Sequence, residues 1–230
     1  MTLAVKLCAK NIEQPRIQPF AKGELQIGWI LLQLAPGVNC NKQIERGFVM
    51  ELQACLEGRK SIRRFTEEAV PHEVVEKIVK AASASPSWKN TQVVRYTLVE
   101  DKELIQKIGE EGILGFKPNT KTIVNCHSLV VQSVVTGICG YEEDGSFTTS
   151  FGNSWEMYDA GISAQSFMLA AHEQGVGTVV MGIIDENKIA EWIDLPEGER
   201  VTALIAMGYQ SGELKHITPR KEVSEILRYK

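Results

Sequence analysis

No two of this chain's cysteines stand close enough in sequence to chelate a metal together. The five (Cys8, Cys40, Cys55, Cys126 and Cys139) are odd in number, with no CxxC pair and no Cys/His cluster. That spacing argues against a zinc site and an iron–sulfur cluster. Scattered reduced thiols predict a cytoplasmic protein. Histidine is scarce as well, with only four, and no Ser/His/Asp or His/Cys set assembles from them. No apolar run reaches the roughly 20 residues of a membrane-spanning helix. The most apolar early segment, "IGWILLQLAPGV", lies behind Glu13 and Glu24, too far from the start for a signal peptide. No GxGxxG follows a strand-like segment, so a Rossmann dinucleotide site is not indicated. Positive charge is in the minority: the net charge is −4 and the pI about 5.7. That balance argues against a general nucleic-acid binder.

What is present is an ordinary globular composition, 43% apolar and 23% charged over 230 residues. It suffices for one sizeable domain with alternating helices and strands. Residues 1–49 differ in character from the rest. They carry six Lys/Arg against three Asp/Glu, interrupted by Pro15, Pro19 and Pro36, with no sustained period. Two readings stand for this segment: an extension that wraps the domain, or upstream sequence ahead of a translation start at Met50. The second is favoured, because "ERG" before "FVM" can be encoded by a purine-rich ribosome-binding stretch. The domain proper is therefore expected over 50–230.

From Met50 the pattern is regular. "MELQACLEG" reads as a helix, and "PHEVVEKIVKAASAS" as an amphipathic one with Pro71 at its first position. "VVRYTLVE" and "SLVVQSVV" are strands, and Asp101 is placed to cap a helix over "DKELIQKI". A long helix is expected from about Trp155 to Gln174. It is apolar almost all round, which predicts burial on several sides or a subunit interface. "TVVMGII", a capped helix "DENKIAEWI" and the core strand "VTALIAMGY" follow.

The minority charge is concentrated. "GRKSIRRF" (58–65) places Arg59, Lys60, Arg63 and Arg64 around Ser61. Planar guanidinium forks and a hydroxyl suit a phosphate monoester and an electron-rich ring edge, although charge runs of this kind are also common on solvated surfaces. Phe65 is the expected buried anchor. The second constellation, "SPSWKNTQ" (85–92), has the composition of any helix-to-strand loop.

Taken in order, "RKSIRRF", "AASASPSWKNTQ", "YDAGISAQSFMLAAHEQGVGTVVMGI", "LPEGERVTALIAMGY" and "TPRKEVSEIL" resemble the flavin-dependent nitroreductase family from Met50 to the C-terminus. The resemblance implies an α+β homodimer with a mixed central sheet flanked by helices, and one FMN in each of two interface sites. By that resemblance Arg59, Lys60, Ser61 and Arg63 meet the phosphate, the ribityl chain and the N1/O2 side of the ring. Pro86, Ser87 and Asn90 reach the flavin mostly from the partner subunit. Gly182 and Ile183 face N5 and O4 through their backbone amides, Asn119 lies near the ring edge, and Arg220 adds a C-terminal cation on the phosphate. Arg64 is expected to face elsewhere.

This chain departs from the family pattern at Val93 and Val94, at Thr218 and at "NCHS" (125–128), which brings His127 to a strand start. His127 reads more readily as packing or surface than as catalysis, and Trp88 fits either a ring-stacking or a core role. His72, His172 and His216 are assigned no catalytic role. The implied activity is hydride transfer from NAD(P)H through flavin to a nitroaromatic, a quinone or a similar small acceptor, with no catalytic nucleophile, triad or metal. Reductive dehalogenation, and a flavin-binding or sensor module without turnover, are the alternatives. A nucleic-acid role for the basic stretch is the least supported.

Overall fold

In the computed structural model, residues 50–214 and 218–230 are described, so the segment 1–49 and its two readings lie outside the described residues. The elements run α1 (Leu52–Gly58), α2 (His72–Ala82), a 3-10 turn (Trp88–Asn90), β1 (Val94–Val99), α3 (Lys102–Glu111), α4 (Lys117–Ile123), β2 (Ser128–Val135), α5 (Ser154–Glu173), β3 (Gly177–Met181), α6 (Glu186–Trp192), β4 (Glu199–Gly208) and α7 (Val223–Ile226). Asp101 caps α3 as its sequence position predicts, its carboxylate accepting from the Leu104 amide at 2.7 Å. Asp185 caps α6 in the same way, accepting from the Lys188 amide at 3.2 Å. Pro71 stands one position before its helix and acts as the N-cap.

The sheet order is β1-β2-β4-β3, with every neighbouring pair of strands antiparallel. A single parallel bridge between Ser61 and Thr178 lies beyond β3, outside the four-stranded antiparallel sheet. Successive residues of β2 point to opposite faces. Leu129 and Val131 join one apolar cluster with Ile105 and Ile108 of α3, Ile123 of α4 and Ile189 of α6. Val130 joins the other, with Ile78 and Ala82 of α2 and Phe167 and Ala171 of α5. Helices therefore cover both faces, which explains why β2 reads as a continuous apolar run rather than an alternating one. The fold is α+β.

Helix α5 is the spine of the second cluster. Phe167 is fully buried, its ring 5.1 Å from that of Tyr96. Phe167→Ala is expected to cost about 3–5 kcal/mol, measured as a shift of the urea midpoint at unchanged m-value. The helix is not closed on all sides, however. Met157 and Tyr158 are 46% and 61% exposed, and Gly161 lies on the open surface with them. The helix ends where the chain turns left-handed at Gly175 (φ +76°). There the Val176 amide donates to the Ala171 carbonyl at 2.8 Å and the Gly175 amide to the His172 carbonyl at 3.0 Å, a Schellman closure. Among the described residues, no helix is long and apolar enough to cross a membrane.

Candidate functional site

The basic stretch is laid along the open edge of β3. The Ile62 amide donates to the Thr178 carbonyl at 2.9 Å, and Phe65 bridges to Gln210. Close approach at this edge depends on Gly177. A Cβ there would come within 2.7–2.9 Å of Ile62 side-chain carbons, including its Cβ. Phe65 is half-buried against Gly208 rather than fully enclosed.

Ile62 is buried and separates two adjoining clefts. Arg59 and Lys60, both half-buried, line a cleft of about 270 Å³ with His172, the Gly175–Thr178 backbone and Gln210. Ser61 and Arg63, both exposed, line the neighbouring one of about 180 Å³ with the 210–214 segment. Arg64 also borders this second cleft, where its backbone carbonyl accepts from the Ser211 amide at 3.0 Å. Among the described residues, none of the four cations forms a salt bridge. Lys60 donates to the Glu57 carbonyl and Arg63, weakly at 3.5 Å, to that of Ser61. Glu213 also lines the second cleft but forms no salt bridge with the cations. Concentrated positive charge beside backbone kept approachable by glycine is chemically suited to an anion such as a phosphate monoester.

The second constellation sits elsewhere in the chain. Pro86 and Ser87 line a cavity of about 150 Å³ with Tyr96, Asp159 and Ser163, distinct from the two cationic clefts. The loop is held in an unusual shape, with Lys89, Asn90 and Gln92 at φ of 44°, 57° and 51°. Two hydrogen bonds keep it there. The Trp88 amide donates to Asp159 Oδ2 at 2.8 Å, and the Gln92 amide donates to Ser87 Oγ at 3.0 Å. Asp159 is buried on α5 and also accepts from Cys139 Sγ at 3.2 Å. Burial, then the nearby Asp159 carboxylate, pushes the Cys139 thiol up to about 12. Trp88 packs on Trp155 with ring centroids 4.7 Å apart, and its Nε1 has no hydrogen-bond partner among the described residues.

The remaining expected residues are dispersed. Asn119 is buried on α4, Gly182 and Ile183 are exposed just beyond β3, and Arg220 is exposed in the tail before α7. His127 is half-buried, and its Nδ1 has no hydrogen-bond partner among the described residues. Two residues escaped the sequence reading. His172 enters the Arg59 cleft, and Asp159 fixes the loop. The signal for Asp159 was present, an acid in a helix that is otherwise largely apolar.

The fold is α+β, with a double cleft at its sheet edge whose cations form no salt bridge among the described residues, and comparison with known proteins makes the class specific. The profile of the nitroreductase family matches residues 56–122 and 136–209. A Bacillus subtilis protein named FMN reductase (NAD(P)H) is 29% identical over 154 residues, 64% of this chain and 61% of that protein. An iodotyrosine deiodinase of Hydra vulgaris is 27% identical over 195 residues, 75% of this chain and 70% of the other. The crystal structure of a nitroreductase family protein from Clostridium novyi superposes with a TM-score of 0.61 at 28% identity, covering 70% of this chain and 86% of that one. The chain belongs to the nitroreductase family.

Proposed function

We propose that the protein is a homodimeric FMN-dependent oxidoreductase, taking NAD(P)H as a transient donor and reducing a nitroaromatic, quinone or similar small acceptor. The observation that carries this reading is the pair of cationic clefts at the edge of β3, whose cations form no salt bridge among the described residues. Family membership and the relative named FMN reductase support flavin as the anion. Bound FMN would supply the redox chemistry, accepting a hydride at N5 from the donor and passing it to the acceptor.

The chain's own task is positioning. Arg59 and Lys60 would neutralise the phosphate, and the Ser61 hydroxyl would add a hydrogen bond. Arg63 would hold a fixed positive charge on the N1/O2 side of the ring, where negative charge develops. Gly182 and Ile183 would offer backbone amides toward N5 and O4, Asn119 an amide at the ring edge, and Arg220 a further cation on the phosphate. Pro86, Ser87 and Asn90 would complete the site from a second copy, which accounts for their separation from the clefts within one chain. The open face of α5 supports that assembly. A Cβ at Gly161 would meet nothing, yet glycine inside a helix costs about 1 kcal/mol relative to alanine. Close approach by a second helix would give that glycine a purpose.

A second reading uses the same site for reductive dehalogenation, favoured by the relative named iodotyrosine deiodinase. NAD(P)H consumption by the FMN-loaded protein, followed over nitroaromatic, quinone and halogenated phenol acceptors, separates the two. Turnover with a nitroaromatic or quinone is expected. Turnover with the halogenated phenol alone would move the assignment to the second reading. Bound flavin with no turnover on any acceptor would leave a flavin-binding module.

A further inference from the structure

His172 stands in the last turn of α5, and its imidazole lies directly against Gly58. A Cβ on Gly58 would come within 2.6 Å of Nε2, so only glycine lets the ring reach this position between α1 and the cleft. The ring lines the same cleft as Arg59 and Lys60, and neither ring nitrogen forms a hydrogen bond among the described residues. We propose that His172 is a third, proton-dependent contact for the phosphate monoester held by Arg59 and Lys60. The proposal rests on the reading that a phosphate occupies this cleft, and it adds a residue and a proton to it.

The charged and titratable groups around the ring set the direction of the coupling. From the segment after α1 come Arg59 and Lys60, and the Cys55 thiol of α1 lies in turn near Arg59 and the Glu173 carboxylate of α5. Among the described residues, the β3 side contributes Gly175 to Thr178, and beyond it lie the uncharged Gln210 and Leu214. Burial first, then Arg59 and Lys60, hold His172 below its ordinary value, which favours the neutral ring. A phosphate dianion would offset both cations. The ring could then take up a proton and donate a charge-assisted hydrogen bond. Because this raises the pKa of His172 on binding, affinity for the phosphate must rise as pH falls through the interval between the free and bound values. Each unit of that rise corresponds to about tenfold in affinity.

The test compares FMN affinity at about pH 6 and about pH 8, which bracket histidine titration, for the full chain and for His172→Gln. The ester's own second ionisation near pH 6 opposes the effect, but it is common to both proteins. The wild type is expected to gain about threefold to tenfold over the variant on going to the lower pH. Riboflavin, which lacks the phosphate, is expected to show no such difference. Equal pH dependence in the two proteins would overturn the role of His172 and leave FMN binding intact. If FMN binds neither protein, the cofactor reading fails, and inorganic phosphate becomes the probe. The His172 Cε1–H resonance, assigned with His172→Gln, must then titrate at higher pH with phosphate than without it. No movement would overturn the inference.

Discussion

Alanine at both Arg59 and Arg63 will lower FMN affinity by roughly 10²–10⁴-fold, as two charge-assisted contacts of about 1.5–3 kcal/mol each are lost. The fold is expected to survive, because neither side chain joins an apolar cluster or a salt bridge among the described residues. Far-UV circular dichroism and thermal unfolding of the flavin-free double variant should therefore match the wild type. Riboflavin provides the internal contrast. The Arg59 contribution is directed at the phosphate and should vanish with it, whereas that of Arg63 is directed at the ring and should persist. Unchanged FMN occupancy in the double variant would contradict the assignment of both residues.

Gly177→Val is expected to damage stability and cofactor binding together. Even a single methyl at this position meets Ile62 within 2.9 Å, and part of the obstruction is Ile62 Cβ, which cannot rotate away. The 59–65 segment would have to move, losing the Ile62–Thr178 hydrogen bond and the Ser61 bridge. Overpacking of this kind costs about 1–3 kcal/mol. At about 2–4 °C per kcal/mol for a chain of this length, the melting temperature should fall by roughly 2–12 °C. FMN affinity should fall with it, since the cations ride on the displaced segment. Gly182→Ala separates the two effects. A Cβ there has no neighbour within 4 Å, and the backbone is not left-handed. Stability should stay unchanged while FMN affinity falls, if the Gly182 amide lies against the flavin. A loss of stability in Gly182→Ala with intact flavin affinity would show that the glycine serves the fold.

Local chemistry was the legible part of this fold. The Asp101 cap, the β-branched run of β2 and the glycine stop after α5 each announce themselves within a few residues, and the structure places them where the sequence does. Helix α4 was not legible. Its seven residues, "KPNTKTI", have poor helix propensity, and burial of Asn119, Thr122 and Ile123 accompanies the turn. The single-sided exposure of α5 was also hidden, because an almost uniformly apolar helix carries little periodic information about which face stays open.

The candidate site divides along the same line. "GRKSIRRF" signals an anion by composition, yet composition does not say which cations share a cleft. Ile62 divides the stretch, with Arg59 and Lys60 bordering one cleft and Arg63 and Arg64 the other. His172 gives no local signal at all, since its role depends on contact with Gly58, far away in sequence. The link between the basic stretch and "SPSWKNTQ" came from resemblance alone. A single chain keeps those two groups in different cavities.

The central claim is that the Arg59–Arg63 clefts hold one FMN per chain and that this flavin accepts electrons from NAD(P)H. Anaerobic absorbance of the FMN-loaded protein during addition of NADH or NADPH tests it most directly. The account predicts saturable loading with one flavin per chain, bleaching of the oxidised flavin's visible absorption band on adding the donor, and recovery of that band when an acceptor is added. A protein that takes up no FMN, or whose bound flavin stays oxidised with both donors, would contradict it.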